Sequence, residues 1–237
     1  DTAYFNAKSR ELGLPIWKDE EMTKDIYDLM VCHEIAHALW TPLDMLEKAQ
    51  VRKINHSFVN IVEDARIERM VQDRYPGSVA VFNRGYRDLT AKDFFGIADK
   101  DVSELNLIDR INLFFKKQKV EFTAEEKVWV KRVAETKTPE DVLDLAEELY
   151  AWMAENAPEE ESDDEKSMPD PNGESGEGEE GESSEVGGVE STGRGGPPMA
   201  ETDTDANNAI KKLIYENAST RTYCRIPDIA DDLIIPY

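Results

Sequence analysis

Two of the three histidines of this chain stand four residues apart in Cys32-His33-Glu34-Ile35-Ala36-His37, a His-Glu-x-x-His run inside a segment with helical periodicity. Residues at i and i+4 share one face of an α-helix, so both imidazoles can reach a single ion. Zinc accepts two neutral imidazoles and one carboxylate and leaves a fourth position for water, whose pKa falls toward about 7. Glu34 lies about 100° around the helix from His33, badly placed to ligate the same ion but near enough to take a proton from that water and return it to a leaving amine. The chemistry expected is that of a zinc hydrolase, with His33 and His37 as ligands, Zn2+ as cofactor and Glu34 as general base.

The third ligand must be an acid on a neighbouring helix, and Asn60-Ile61-Val62-Glu63-Asp64-Ala65-Arg66-Ile67-Glu68 supplies candidates. Adjacent acids in a largely apolar helix are costly unless paired or metal-bound. A helical wheel puts Glu63 nearly opposite the apolar face and Asp64 about 80° to 100° off its centre, so geometry alone does not choose between them. Glu63 is the favoured metal ligand, with Asp64 as the alternative; Glu68 or Asn60 would accept from the outer histidine N–H groups. The bland reading makes the pair a solvated face bridged to Arg66 or Arg69. His56 reads more readily as a polar surface histidine than as a further ligand, Cys32 as an inert thiol, and Tyr86 as a core aromatic or an oxyanion donor.

These residues need helices to hold them. Met22 to Trp40 has apolar residues at helical spacing and stops at Thr41-Pro42, since a residue before proline avoids the α region. A second long helix is expected over about Lys48 to Arg74, stopped by Pro76-Gly77. Further helices follow at Ser103–Lys117, at the Thr123/Glu126 capping box and at Thr138-Pro139 with Asp141. Ahead of them, two short apolar runs (Thr2–Asn6 and Glu11–Trp17) read as a β-hairpin whose Tyr4 or Leu14 edge would pair with an extended substrate.

The 237 residues carry a net charge of −23, unevenly spread. Eighteen acidic and two basic residues between Ala151 and Asp205 account for −16 of it. Nucleic-acid binders cluster Lys and Arg to displace counterions, so no nucleic-acid partner is expected. Two lone cysteines make no disulfide framework, and no apolar run approaches the roughly 20 residues that span a bilayer. Residues 157–204 hold nine of the thirteen glycines and few large apolar residues, the composition of a disordered acidic tether. Asp205 to Ala218 reads as one more helix and Thr222 to Tyr237 as a strand-like tail without a partner. The start at Asp1 and the apolar run before Tyr237 read as a piece of a longer protein.

His33-Glu34-Ile35-Ala36-His37-Ala38-Leu39-Trp40-Thr41-Pro42, then Asn60 to Arg69, Tyr75-Pro76-Gly77 and Asp93-Phe94-Phe95-Gly96, together resemble the metallopeptidase-like region of von Willebrand factor A proteins encoded by tailed phages. More weakly, the chain is similar to the segment before the von Willebrand domain in bacterial proteins of the cobaltochelatase and nitric-oxide-reductase-activation type. The resemblance covers most of Asp1 to about Lys117 and fades through the later helices. It implies an acidic linker leading into a von Willebrand factor A domain, although the chain stops before any Asp-x-Ser-x-Ser motif. It also implies work beside an AAA+ ATPase or a virion protein, in the cytoplasm (the host's, for a phage protein). The roles carried over are limited to His33, His37, Glu34 and the Glu63-Asp64 acids.

The expected architecture is thus α+β and mostly helical: a zincin-like metal helix pair with a short N-terminal β-hairpin over residues 1–156, the tether over 157–204, and the start of a second domain over 205–237. The expected function is zinc-dependent hydrolysis of a peptide or protein substrate. The competing expectation is a non-catalytic, zinc-stapled adaptor that binds an ATPase or virion component through a downstream von Willebrand domain.

Overall fold

The computed structural model describes residues 4–6, 11–14, 22–156, 200–213 and 221–225. Most of the described chain is helical. The acidic tether over 157–199 and the tail beyond 225 lie outside the described residues.

Strands β1 (Tyr4–Asn6) and β2 (Glu11–Leu14) pair antiparallel, with Phe5 opposite Leu12, as the alternating apolar runs predict. Strand β3 (Arg221–Arg225) pairs antiparallel with the other side of β2, giving the order β1-β2-β3. This corrects two expectations. The strand-like tail does find a partner, and β2 is the middle strand, so Leu14 has no open edge to offer a substrate.

Helix α1 (Lys24–Trp40) begins where Thr23 Oγ1 accepts from Ile26 N at 3.1 Å, and it ends at Thr41-Pro42 as the proline requires. Thr23 also donates to Asp88 Oδ2 at 2.9 Å, tying α1 to α4 (Ser78–Ala91). The two helices pack so closely at Gly85 that a Cβ there would lie 2.5 Å from Leu29 Cβ and 2.8 Å from Asp25 O.

The single helix expected over 48–74 is two: α2 (Met45–Val51) and α3 (His56–Arg74). Lys53 adopts φ +57° between them, and Asn55 then caps α3, its Oδ1 accepting from Ser57 N and Phe58 N. Helix α5 (Leu107–Phe115), α6 (Glu126–Glu135) and α7 (Pro139–Glu155) follow. The expected Thr123/Glu126 capping box forms, and the helix start expected at Thr138-Pro139 with Asp141 is a capping box as well.

Helix α3 is the axis of the fold. Phe58, Val59, Ile61, Val62 and Ala65 join a core with α2, α5, α6 and α7, whereas Ile67 and Val71 join a second core with α1, α4, Phe94 and Phe95. A helix packed on both sides has little water for its charged residues, so Glu63, Asp64, Arg66 and Glu68 are all buried. Each of them must find a partner inside the protein.

Helix α8 (Glu201–Leu213) starts four residues before the Asp205 at which it was expected, and it packs on α5. Its first turn is capped from α5: the buried Asp109 accepts from Glu201 N, Thr202 N and Thr202 Oγ1, and Asn112 donates to Thr202 Oγ1. No helix among the described residues is long and apolar enough to cross a membrane.

Candidate metal centre

The i,i+4 spacing on α1 brings His33 and His37 to the face that meets α3, and Asp64 comes up from α3 between them. Their inward atoms form a triangle: His33 Nε2 to His37 Nε2 3.2 Å, His37 Nε2 to Asp64 Oδ1 3.3 Å, and His33 Nε2 to Asp64 Oδ1 3.7 Å. Ligands held about 2.0–2.1 Å from a tetrahedral zinc ion stand about 3.3–3.4 Å apart. Two sides of the triangle are close to that length, and the third, from His33 to Asp64, is longer at 3.7 Å.

Hydrogen bonding on the outer side fixes what these atoms carry. The Glu68 carboxylate can only accept, so His33 Nδ1, 3.0 Å from Glu68 Oε1, is the donor. Thr41 Oγ1 donates to Glu63 Oε1 at 2.5 Å and therefore accepts from His37 Nδ1 at 2.9 Å. In neutral imidazoles both Nε2 atoms then turn lone pairs inward, toward a carboxylate oxygen. Asp64 Oδ1 is, among the described residues, the one buried side-chain polar atom without a hydrogen-bond partner. With both rings neutral, three acceptors converge on one point, and a cation there, a proton or a metal ion, satisfies them.

Electrostatics point the same way. Burial alone would discharge the His33 ring, but the Asp64 charge and the Glu68 hydrogen bond outweigh it and push its pKa up to about 9. Burial likewise opposes ionisation of Asp64, and Lys116 and His33 overcome it, holding that carboxyl below its ordinary value. Burial raises Glu34 above its ordinary value, and the charges of His33 and His37 draw it partly back. A carboxyl so placed beside the imidazoles, in the wall of the same cavity, is suited to exchange protons with bound water.

Glu63, the favoured ligand from sequence, is not one of the converging atoms. Arg66 takes both its oxygens, Nε to Oε2 at 2.8 Å and an Nη to Oε1 at 2.6 Å, and is itself fully buried against Trp40 O. The preference fails because side-chain partners, not the angle from the apolar stripe, decide which acid is free; the Arg66 at i+3 was the legible signal for Glu63. Glu63 acts at one remove, backing His37 through Thr41. Glu68 backs His33 as expected, while Asn60 instead donates to Asp203 Oδ1 at 3.1 Å. His56 and Cys32 stand outside the triangle. Tyr86, one reading of which was an oxyanion donor, spends its hydroxyl on Glu68 Oε1.

Sequence reasoning missed Lys116. Its buried ammonium donates to Asp64 Oδ2 at 2.9 Å and to Glu68 Oε1 at 2.6 Å, 5.3 Å from the Tyr86 ring centre. The only hint was a lysine closing the apolar run Leu113-Phe114-Phe115. The centre forms one wall of a cavity of about 480 Å³, whose other walls include the apolar Leu29, Val59 and Phe95 and, from α8, Asp203 and Asn207. Comparisons with protein-family models, curated proteins and solved structures find no match to this chain.

Proposed function

We propose that the chain is a zinc-dependent hydrolase of peptide bonds, built on a zincin-like pair of helices, with His33, His37 and Asp64 as the metal ligands. The observation that carries this reading is the unpartnered Asp64 Oδ1 standing 3.3 and 3.7 Å from two imidazole nitrogens whose outer N–H groups are already committed. Two nitrogens and one oxygen suit zinc and its first-row neighbours; Mg2+ and Ca2+ prefer all-oxygen sites. Held by His33, His37 and Asp64, zinc would supply Lewis acidity for a water and a substrate carbonyl. Glu34 takes the water's proton and returns it to the leaving amine. The cavity's apolar walls receive the side chain beside the scissile bond, and its size suits a few residues of an unfolded peptide.

The test has two steps. Plasma mass spectrometry on the purified, zinc-supplemented protein should give one zinc per chain, and the holo-protein should cleave members of a peptide library. Glu34→Gln should retain the zinc while hydrolysis falls by about 10²–10⁴-fold, the usual worth of a general base. Undiminished cleavage in that variant would remove Glu34 from the mechanism. Stoichiometric zinc with no cleavage of any peptide would make the ion a staple between α1 and α3, as an adaptor requires.

A further inference from the structure

We propose that Lys116 is a positioning residue of the metal centre: its ammonium holds Asp64 Oδ2 and Glu68 Oε1 together, so that Asp64 presents one oxygen to the ion and the charge of the centre matches a divalent cation. The inference rests on the metal reading above. A carboxylate with both oxygens free can swing to bind an ion through two atoms, and here one is taken by a donor at 2.9 Å. The same nitrogen reaches, at 2.6 Å, the Glu68 oxygen that orients His33, so one cation sets two of the three ligands. Glu68 Oε1 thereby accepts from His33, Tyr86 and Lys116 at once, a crowding tolerable only for an ionised oxygen.

Charge makes the second half of the case. Glu63 is neutralised by Arg66, which leaves Asp64, Glu68 and Glu34 as the buried carboxylates beside the centre; the less buried Asp203, on the α8 side of the cavity, has Asn60 as its donor. Against them stands Lys116 alone, and the imbalance left is the charge of one divalent ion. Without the lysine the same ligands would carry one negative charge too many.

A lysine that only neutralised a buried acid pair would affect stability and nothing else, so the test reads coordination. Co2+ absorbs visible light more strongly in four-coordinate than in six-coordinate sites and can replace zinc without an activity assay. The wild-type chain should bind Co2+ with intense visible bands. Lys116→Met should weaken those bands as Asp64 turns a second oxygen to the ion, and should raise the Co2+ dissociation constant by about 10–100-fold, as loss of a ligand-orienting partner does. Lys116→Arg, which keeps the cation and its donors, should recover most of the spectrum. Where Lys116→Met does not fold, Lys116→Gln carries the same expectation, because an amide cannot span both carboxylates. A wild-type spectrum and affinity in the Met or Gln variant, with only a lower melting temperature, would overturn the assignment. No Co2+ binding by the wild-type chain would instead overturn the metal reading beneath it.

Discussion

What its surroundings do to the proton of His33 offers a way to test the proposed ligand role. In the metal-free chain its folded pKa, raised to about 9, stands above the ordinary 6.5. Protonation therefore favours the folded state: the contribution is fully present below about pH 6.5 and fades as pH rises through about 9. The apo-protein's melting temperature should accordingly drop over that window beyond the trend of a His33→Gln variant. An ion that takes the Nε2 lone pair must displace this proton, so calorimetry in buffers of different ionisation enthalpy should find at least one proton released per zinc at pH 7.5, that of His33 together with what the bound water loses. Proton release near zero would show that His33 is not a ligand. At this scale the sequence displayed the two imidazoles and the neighbouring Glu34, because their placement follows from spacing along one helix. It favoured Glu63 over Asp64, because the partners that take up Glu63 and leave an oxygen of Asp64 are Arg66, Thr41 and Lys116, of which only Arg66 is a local neighbour.

Elements translate those side chains into a geometry. Helix α1 can hold its imidazoles against Asp64 only while its far side rests on α4, and that contact turns on Gly85. Helix propensity favours alanine over glycine by about 1 kcal/mol in a helix interior. The missing Cβ, however, would meet Leu29 Cβ at 2.5 Å and the Asp25 carbonyl at 2.8 Å, and the backbone atom cannot move without shifting α1. Overpacking of this kind costs about 1–3 kcal/mol, so the steric effect wins. Gly85→Ala should lower stability to urea and loosen zinc binding together; a more stable variant would show that α1 and α4 are free to part. The hairpin, the end of α1, the Thr123/Glu126 capping box and the helix start at Thr138-Pro139 were readable in advance because each is written in residues a few positions apart. The break at Lys53 was not, since a positive φ at lysine has no residue signature. Nor was the seat of α8, which depends on Asp109 some ninety positions earlier.

At the scale of the molecule, α3 separates two apolar cores, and the centre is where the helix of one core's outer layer, α1, faces buried charges that α3 cannot give to water. Composition could foretell neither core, because α3 carries Glu63, Asp64, Arg66 and Glu68 within one turn and a half and reads as half polar. Its charges find partners as a nearly closed set, Glu63 with Arg66, Glu68 with Lys116 and His33, and Asp64 with Lys116 on one oxygen; the proposed ion would close the set at the other. An ion that binds this folded arrangement and not the open chain stabilises it by about 4 kcal/mol at a thousandfold excess over its dissociation constant. For a chain of this size that is roughly 8–16 °C in melting temperature. Zinc should raise the transition by that order, a chelator should reverse it, and His37→Ala should abolish the response while leaving the apo transition close to the parent's, since His37 is a partly exposed residue with no apolar role in either core. A transition indifferent to zinc would mean that the three converging lone pairs hold nothing but a shared proton, and the hydrolase reading would fall with the ion.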